Sequence, residues 1–578
     1  MSQQEQQDKS QYFYRVCATD FMKIVGGPIV YWASEATISL FDNRLLGDDY
    51  EIREGLGTRD DDIFLRRFWE VSFQDIRNSN GNEKWVKTDK AGAFRKWYGN
   101  AEFVMNWEND GYAIKNHRNS DGSLKSRPQN TQFFFKEAIS WNKVGSGITS
   151  FRWRDKTFAF NDAAPSIFGD KLEVVHGMLC SKVFTHLIGL QGGTLNVTTG
   201  IIKSLPAIML DETKINSVRC RQIVKSDWDS FEYSMEFLGS PFFIESKSKL
   251  SSIYSSLREK WKNITSELLK LEQDTNEKFI TNYSLEGETS PYVPLTEITV
   301  NCNPHYRYGG ERTIAEFEAL LQCDTLKELI SYAIGCMMGR YSIDKPGLIL
   351  ASQGETLQDY LKQIPNPRFM PDSDAILPLT DQEWFADDVT NRVREFVKVV
   401  WGEETLQENL AFIAESLCLH AIKPKKGEGA LDTIRRYLST QFYKDHLKTY
   451  KKRPIYWLFS SGKEKAFECL VYLHRYNEST LARMRTEYVT PLMGKYDAQH
   501  SLLLEQKTDA SPAQQRELEK EIKALEKKQT ELRAFDEQLK HSADMRIKLD
   551  LDDGVKVNYG KFGNLLAEVK AVTGDKAK

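Results

Sequence analysis

The sequence predicts an α+β protein in which a β-rich region is followed by a mainly helical C-terminal region. Two observations lead to this prediction. Large and polar residues alternate on both sides of a glycine turn between Ile139 and Phe160, which indicates a twisted antiparallel hairpin. Apolar residues recur at spacings of three and four after Phe231 and again after Leu518, which indicates amphipathic helices.

Composition sets outer limits on the architecture and on the partners. The 578 residues suffice for two to four domains, and the 40% hydrophobic content suffices to bury sizeable cores. The net charge is only −4, so any nucleic-acid site must be a local patch. The eight cysteines are scattered without a CxxC pair, and no run approaches the roughly 20 apolar residues that span a bilayer. We therefore expect reduced thiols, no metal, no membrane association and a cytoplasmic location.

The predicted hairpin is locally basic. Lys143, Arg152, Arg154 and Lys156 stand against Asp155, and large aromatic residues separate them. Aromatic planes beside guanidinium groups suit phosphate oxygens and the acceptor edge of guanine. The alternative is an ordinary basic hairpin on a protein surface.

The segments that follow the hairpin also favour contact with nucleic acid. An apolar helical run, His176 to Leu190, is followed by Leu195–Val197 and by a segment that contains Lys203. This order of elements resembles the end of a target-recognition unit in adenine-specific DNA methyltransferases of restriction and phage-defence systems.

Upstream, the segment Glu54–Val71 combines a glycine turn, an acidic cluster directly after Arg59 and a strand-like apolar run flanked by Arg66 and Arg67. Asp60 to Asp62 lack the alternating spacing of a calcium loop, which favours a solvated turn. Gly55 and Gly57 have no third glycine in a strand-to-helix context, so they do not predict a cofactor loop.

Aromatic residues and helical patterns fill much of the remaining chain. The seven aromatics between Trp85 and Tyr112 suit either packing between short strands or base-stacking platforms. A helical spacer follows from Phe231 to Phe279, and the polar segment 284–304 indicates a domain boundary near residue 300.

A second basic region lies between Lys444 and Lys465, with seven basic residues against two acidic ones. Lys451, Lys452 and Arg453 form its densest part beside aromatic residues, which suits contact with a phosphate backbone. The alternative is a solvated basic loop. Farther on, the spacing of Leu518, Ile522, Leu525, Gln529 and Leu532 predicts a short coiled coil or a helical hairpin.

Several segments together resemble the C-terminal half of one family, the adenine-specific DNA methyltransferases of BREX phage-defence systems (PglX). The segments are EGLGTRDDDIFLRRFWEV, KWYGNAEFVMNWENDG, NPHYRYGG, ELISYAIGCMMGRYSIDKPGLI, FYKDHLKTYKKRPIYWLFSSGK, YLHRYNESTLARMRTEYV and LDLDDGVKVNYGKF.

The sequence patterns and the resemblance together predict a domain order. We expect a connector at 1–50, a DNA target-recognition domain at 51–210, a helical spacer at 211–300, a mainly helical domain at 301–500 and a coiled-coil or hairpin tail at 501–578.

The family's chemistry requires a glycine-rich loop for S-adenosylmethionine and an [NDS]-P-P-[YF] motif for a flipped adenine. Asn303-Pro304-His305-Tyr306 and Ser240-Pro241-Phe242-Phe243 both depart from that motif at the third position, so we interpret them as turns. We therefore expect no catalytic or cofactor-binding residue here, with S-adenosylmethionine on a catalytic core outside this chain.

The leading hypothesis is that the chain recognises double-stranded DNA for a BREX-type adenine-N6 methyltransferase, together with the catalytic core or other BREX proteins. The candidate DNA contacts are Arg59, Arg66, Lys143, Arg152, Arg154, Lys203, Lys451, Lys452 and Arg453. The alternative is a non-catalytic interaction protein that binds another defence component through its helical half without reading DNA.

Overall fold

A computed structural model of the chain describes residues 17–77, 83–145, 147–192, 195–244 and 249–574. It is a mixed α/β structure that divides into two units. The first comprises residues 1–65, 77–228 and 260–310, and the second comprises residues 66–76, 229–259 and 311–578. The segment 66–76, which the sequence analysis placed in the β-rich domain, is therefore part of the second unit.

The strands within the described residues are β1 Glu51–Arg53, β2 Leu65–Arg67, β3 Trp85–Asp89, β4 Phe103–Asn106, β5 Ala138–Trp141, β6 Phe151–Arg154, β7 Phe158–Phe160, β8 Ser166–Phe168, β9 Ile376–Pro378, β10 Tyr456–Ser460 and β11 Glu468–Tyr472.

The α-helices are α1 Ala18–Phe21, α2 Glu35–Ser39, α3 Leu46–Asp49, α4 Asp61–Phe64, α5 Glu108–Lys115, α6 Leu172–Leu179, α7 Lys182–Leu190, α8 Thr199–Lys203, α9 Lys214–Trp228, α10 Leu250–Asn282, α11 Pro304–Tyr308, α12 Ile314–Met337, α13 Leu357–Gln363, α14 Val389–Trp401, α15 Leu406–His420, α16 Ala430–Tyr437, α17 Tyr443–Thr449, α18 Thr480–Arg483, α19 Thr490–Thr508, α20 Pro512–Asp544, α21 Gly554–Gly560 and α22 Val569–Thr573. Within the described ranges, none of them combines the length and the apolar character needed to cross a membrane.

The predicted hairpin is present in the first unit. Strands β5 and β6 pair antiparallel, with Ile139 opposite Trp153, in a sheet ordered β1-β8-β5-β6. Apolar side chains of this hairpin share a core with α6 and α7. The predicted single helix after the hairpin is two helices, because the side chain of Ser181 accepts a hydrogen bond from the Phe184 N–H and starts α7 anew.

A second sheet of this unit pairs β3 antiparallel with β4 and parallel with β7. Most of the aromatics between residues 85 and 112 pack inward: Trp85 and Trp97 are each 1% exposed, and Trp107 is buried as well. Tyr112 is the exception, at 67% exposed. These buried rings are core residues, because a ring inside the protein has no face available to stack on a base.

The second unit contains a three-stranded antiparallel sheet ordered β10-β11-β9. Pro378 lies on the edge strand β9, where the missing N–H of proline costs no ladder hydrogen bond. Helix α12 packs on α14 and α15, which makes this unit mainly helical around a small sheet.

The C-terminal helices α19 and α20 form an antiparallel pair in the same unit. Lys507 lies 2.9 Å from Glu519, and Gln529 donates a hydrogen bond of 2.8 Å to Asp497, which fixes the antiparallel register. Ile522, Leu525 and Leu532 are buried, as their spacing predicted. Of the two predicted alternatives, a short coiled coil and a helical hairpin, these helices therefore form the hairpin.

Candidate nucleic-acid interface

The structure corrects the expectation for the two hairpin arginines. Arg152 is fully buried, and its Nη2 donates to Oδ1 of Asn142 at 2.8 Å. Arg154 is 2% exposed, and its Nη2 donates to Asp89 and to the carbonyl of Gly99, each at 2.8 Å. Both guanidinium groups point into the protein because β6 is buried on both faces. They hold the interior together and present no donor to a base edge.

The charges of Arg152, Arg154 and Asp89 partly offset one another inside the protein, as expected of a structural role. Burial alone would raise the pKa of Asp89, but Arg154 and Arg152 outweigh it and hold that pKa below its usual value. Burial lowers the pKa of Arg152 to about 10. The hairpin arginines and Asp89 therefore form a compensated charge cluster within the first unit.

Arg66 also requires a correction. Its side chain is 7% exposed, and Nε and Nη2 both donate to the backbone carbonyl of Asp552, at 3.1 and 2.8 Å. A side chain packed in this way cannot reach a phosphate without leaving its site. Arg66 is therefore a link within the second unit and not a DNA contact.

The other candidates of the first unit lie at or near the surface. The Arg59 side chain is 50% exposed and 3.4 Å from Asp162, and Lys143 lies 2.6 Å from Glu54. Lys203 ends α8, with its stem against Gly47. These three positions stay predictions. Asp60 and Asp61 pair with Lys125 and Lys90, as expected of a surface turn.

The second basic region forms a turn of unusual backbone geometry. Lys451 and Lys452 follow Tyr450, the residue that caps the end of α17, and both are exposed. Both adopt left-handed conformations, with φ of 50° and 60°. The Lys452 N–H donates to the carbonyl of Leu447 at 2.7 Å, which closes the helix end. A left-handed conformation costs about 1–2 kcal/mol for a residue with a side chain. Strain of this kind concentrates at functional sites.

Arg453 anchors this turn, which we call the Lys451–Arg453 turn. Its carbonyl accepts a 3.0 Å hydrogen bond from Nε1 of the buried Trp69. Its guanidinium lies 3.6 Å from Glu70 and donates weakly to the carbonyl of Val572. The exposed lysines therefore stand on a fixed backbone, whereas Arg453 itself is mostly engaged with the protein.

A histidine beneath the turn completes the support. The backbone N–H groups of Ile455 and Tyr456 both donate to Nε2 of His446, at 3.2 and 3.1 Å. A ring nitrogen that accepts cannot carry a proton, so His446 is neutral and protonated at Nδ1. Burial lowers the pKa of His446 to about 3, which keeps this state over the physiological range. Sequence reasoning missed His446, because its role depends on a strand start ten residues further on.

The candidate catalytic motifs do not fit an adenine clamp or a cofactor cradle. Asn303 is 1% exposed, its Oδ1 accepts from the His305 N–H, and its Nδ2 donates to the carbonyls of Leu295 and Ile298. Its side chain is a helix cap with its hydrogen bonds used inside the protein. A Cβ at Gly55 would lie 2.1 Å from the Phe160 carbonyl oxygen, so protein backbone fills the space that a cofactor would need.

The aromatic side chain at the end of the Ser240–Phe243 motif also packs within the protein. Pro241 begins a short 3-10 helix, and Phe243 packs on Tyr332 and on Trp401, with ring centroids 5.3 and 6.0 Å apart. Both segments, which the sequence analysis interpreted as turns, are therefore parts of short helices: α11 follows Asn303, and a 3-10 helix covers Pro241–Ile244.

This chain is similar to adenine-specific methyltransferases along nearly its whole length. It is 46% identical over 571 residues to the adenine-specific methyltransferase BrxX of Escherichia coli O9:H4 (strain HS), a match that covers 97% of this chain and 46% of that protein. It is 34% identical over 579 residues to the adenine-specific methyltransferase PglX of Lacticaseibacillus casei (strain Zhang), covering 95% and 45%. No protein-family model matches the sequence.

The chain thus spans about half the length of the curated relatives it matches. The predicted resemblance to this family is supported over nearly all of the chain. Because the relatives align with almost every part of it, the comparison gives no support to the prediction that the catalytic core lies outside this chain, which stays a prediction.

Proposed function

We propose that this chain belongs to the BREX-type adenine-specific DNA methyltransferases and contributes binding of double-stranded DNA. The observation that carries the proposal is the Lys451–Arg453 turn, in which two adjacent exposed lysines are held in strained conformations by buried anchors. Neutralising phosphates with lysines releases counterions, which is the main sequence-independent source of DNA affinity. The similarity to adenine-specific methyltransferases supports DNA as the partner.

The finer assignments are part of the same proposal. The β-rich part reads the target sequence, with Arg59, Lys143 and Lys203 as its remaining candidate contacts. These residues lie at or near the surface, whereas Arg66, Arg152 and Arg154 do not. Other BREX proteins are the proposed protein partners.

The test is a salt titration of duplex binding by the intact chain and by K451A/K452A. Each lost phosphate contact should flatten the slope of log affinity against log salt by about 0.9, on a cognate and on a scrambled duplex alike. The matched control is K523A/K527A, which removes two exposed lysines four residues apart on α20. An unchanged slope for K451A/K452A would remove the turn from the DNA interface and favour an interaction protein.

A further inference from the structure

Helix α17, which leads into the Lys451–Arg453 turn, has two contrasting faces. Tyr443, His446 and Leu447 are buried, and Lys444 and Lys448 are exposed. Residues four apart lie on one side of a helix, separated by about 6 Å along its axis. The outer face of this helix is thus a pair of lysines in line.

The carboxylate of the same helix does not neutralise that face. The Asp445 side chain is 18% exposed and lies 3.4 Å from Lys327. Its Oδ2 accepts a hydrogen bond from the Tyr437 hydroxyl at 3.1 Å, and its Oδ1 accepts from Gln441 at 3.3 Å. Across the described ranges, neither Lys444 nor Lys448 lies within ion-pair distance of a carboxylate.

The lysine pair continues directly into the turn. The Lys451 N–H donates to the carbonyl of Lys448 at 3.2 Å, and the Lys452 N–H donates to the carbonyl of Leu447 at 2.7 Å. The turn is therefore held against the last residues of α17, and no mobile linker separates the two pairs of lysines. Four exposed lysines follow one another within nine residues of the chain.

We infer that Lys444 and Lys448 extend the turn into one lysine row that contacts successive phosphates along a strand of duplex DNA. The inference rests on the proposed function. A linear row on a rigid helix suits a regularly spaced polyanion, because each lysine is a point charge that needs no directional partner. The row carries no planar side chain that would read a base edge, so its contacts are independent of sequence.

The experiment compares the intact chain with K444A/K448A, K451A/K452A and the control K523A/K527A. Affinity for a labelled duplex and for the corresponding single strand is measured across several salt concentrations. K444A/K448A should flatten the duplex slope by roughly 1.8, that is about 0.9 for each of two contacts, on every duplex sequence. On the single strand the corresponding change in slope should be about 0.7 per contact. The control should keep the wild-type slope.

The outcomes separate the two proposals. One outcome is that K444A/K448A keeps the wild-type slope of log affinity against log salt while K451A/K452A flattens it. That result would overturn the lysine row and leave the proposed function in place. Failure of the intact chain to bind DNA would overturn both. Loss of sequence preference with an unchanged slope would also overturn the row, since it would mean base contact. Thermal unfolding checks the fold, and K444Q/K448Q replaces the alanine variant if that variant unfolds.

Discussion

Nε2 of His446 lies 3.1 Å from the backbone nitrogen of Tyr456 and accepts its hydrogen bond, so the neutral imidazole joins α17 to the start of β10. The loop between these two elements carries Lys451 and Lys452. The same ring is stacked on Tyr456, with centroids 4.9 Å apart. One buried histidine therefore links the two elements on either side of the loop that carries the proposed DNA contact.

This arrangement predicts a loss of stability on acidification. Burial lowers the folded pKa of His446 to about 3, against a usual value of 6.5, so the unfolded chain binds an extra proton between these pH values. The free energy of unfolding should fall as pH drops through this window, by about 1.4 kcal/mol per pH unit for one such histidine. Urea unfolding at several pH values measures this dependence.

The variant His446→Gln isolates this contribution. Its amide oxygen can accept a backbone hydrogen bond but does not titrate, so the pH dependence should become shallower. His176 and His474 remain as a background, because burial lowers the pKa of each to about 3 as well. An unchanged pH dependence in H446Q would contradict the assigned role of His446.

Glu232 predicts a pH dependence of opposite sign. Its carboxylate accepts a 2.7 Å hydrogen bond from the buried Tyr450 hydroxyl, and burial raises its pKa to about 7. The folded chain therefore binds more protons than the unfolded chain between pH 4.5 and 7, and stability from this group is lost as pH rises through 7. Because the side-chain amide of the Glu232→Gln variant does not ionise, the unfolding free energy of this variant relative to the wild type should rise between pH 5 and pH 8. A difference between variant and wild type that stays constant over this range would count against this assignment.

The buried pair of Arg154 and Asp89 predicts a large effect on stability. Arg154→Met leaves the buried Asp89 carboxylate without its 2.8 Å partner, which should cost about 3–5 kcal/mol of unfolding free energy. Arg59→Met is the matched control, because the Arg59 pair with Asp162 is half-exposed and is worth about 0–1 kcal/mol. Denaturant unfolding of both variants measures the contrast. Equal, small losses would mean that Arg154 is free to serve elsewhere.

The strained backbone of the Lys451–Arg453 turn predicts that one substitution raises stability and lowers DNA affinity. Lys452→Gly removes a side chain from a residue with φ of 60°, which glycine adopts readily. The relief of strain should exceed the added flexibility of the unfolded chain, raising the unfolding free energy by about 0.5–1 kcal/mol while weakening duplex binding.

The control for this prediction is Lys463→Gly. Lys463 is exposed and does not have a left-handed backbone, so glycine there should lower stability by about 0.4–1 kcal/mol. Thermal unfolding and duplex titration of the two variants, side by side, test the prediction. A stability loss in K452G would show that the turn is not strained.

The β5–β6 hairpin, the amphipathic helices and the positions of the two basic regions can be predicted from the amino-acid sequence alone. These features depend on local periodicity and turn residues, which act within a few positions along the chain. The resemblance to BREX methyltransferases can also be recognised without a structure, because it depends on the residues of long segments such as FYKDHLKTYKKRPIYWLFSSGK.

Which basic residues face water depends on contacts between distant parts of the chain. Arg154 and Lys444 look alike in the sequence, as single cations among aromatic and apolar neighbours. Arg154 is buried because Asp89 and the Gly99 carbonyl, 55 or more residues upstream, supply its acceptors. Lys444 is exposed because Tyr443, His446 and Leu447 form the buried face of α17, and its neighbour Asp445 pairs with Lys327, more than 100 residues away. Such partners are joined by folding and not by sequence spacing, so no local pattern reveals them.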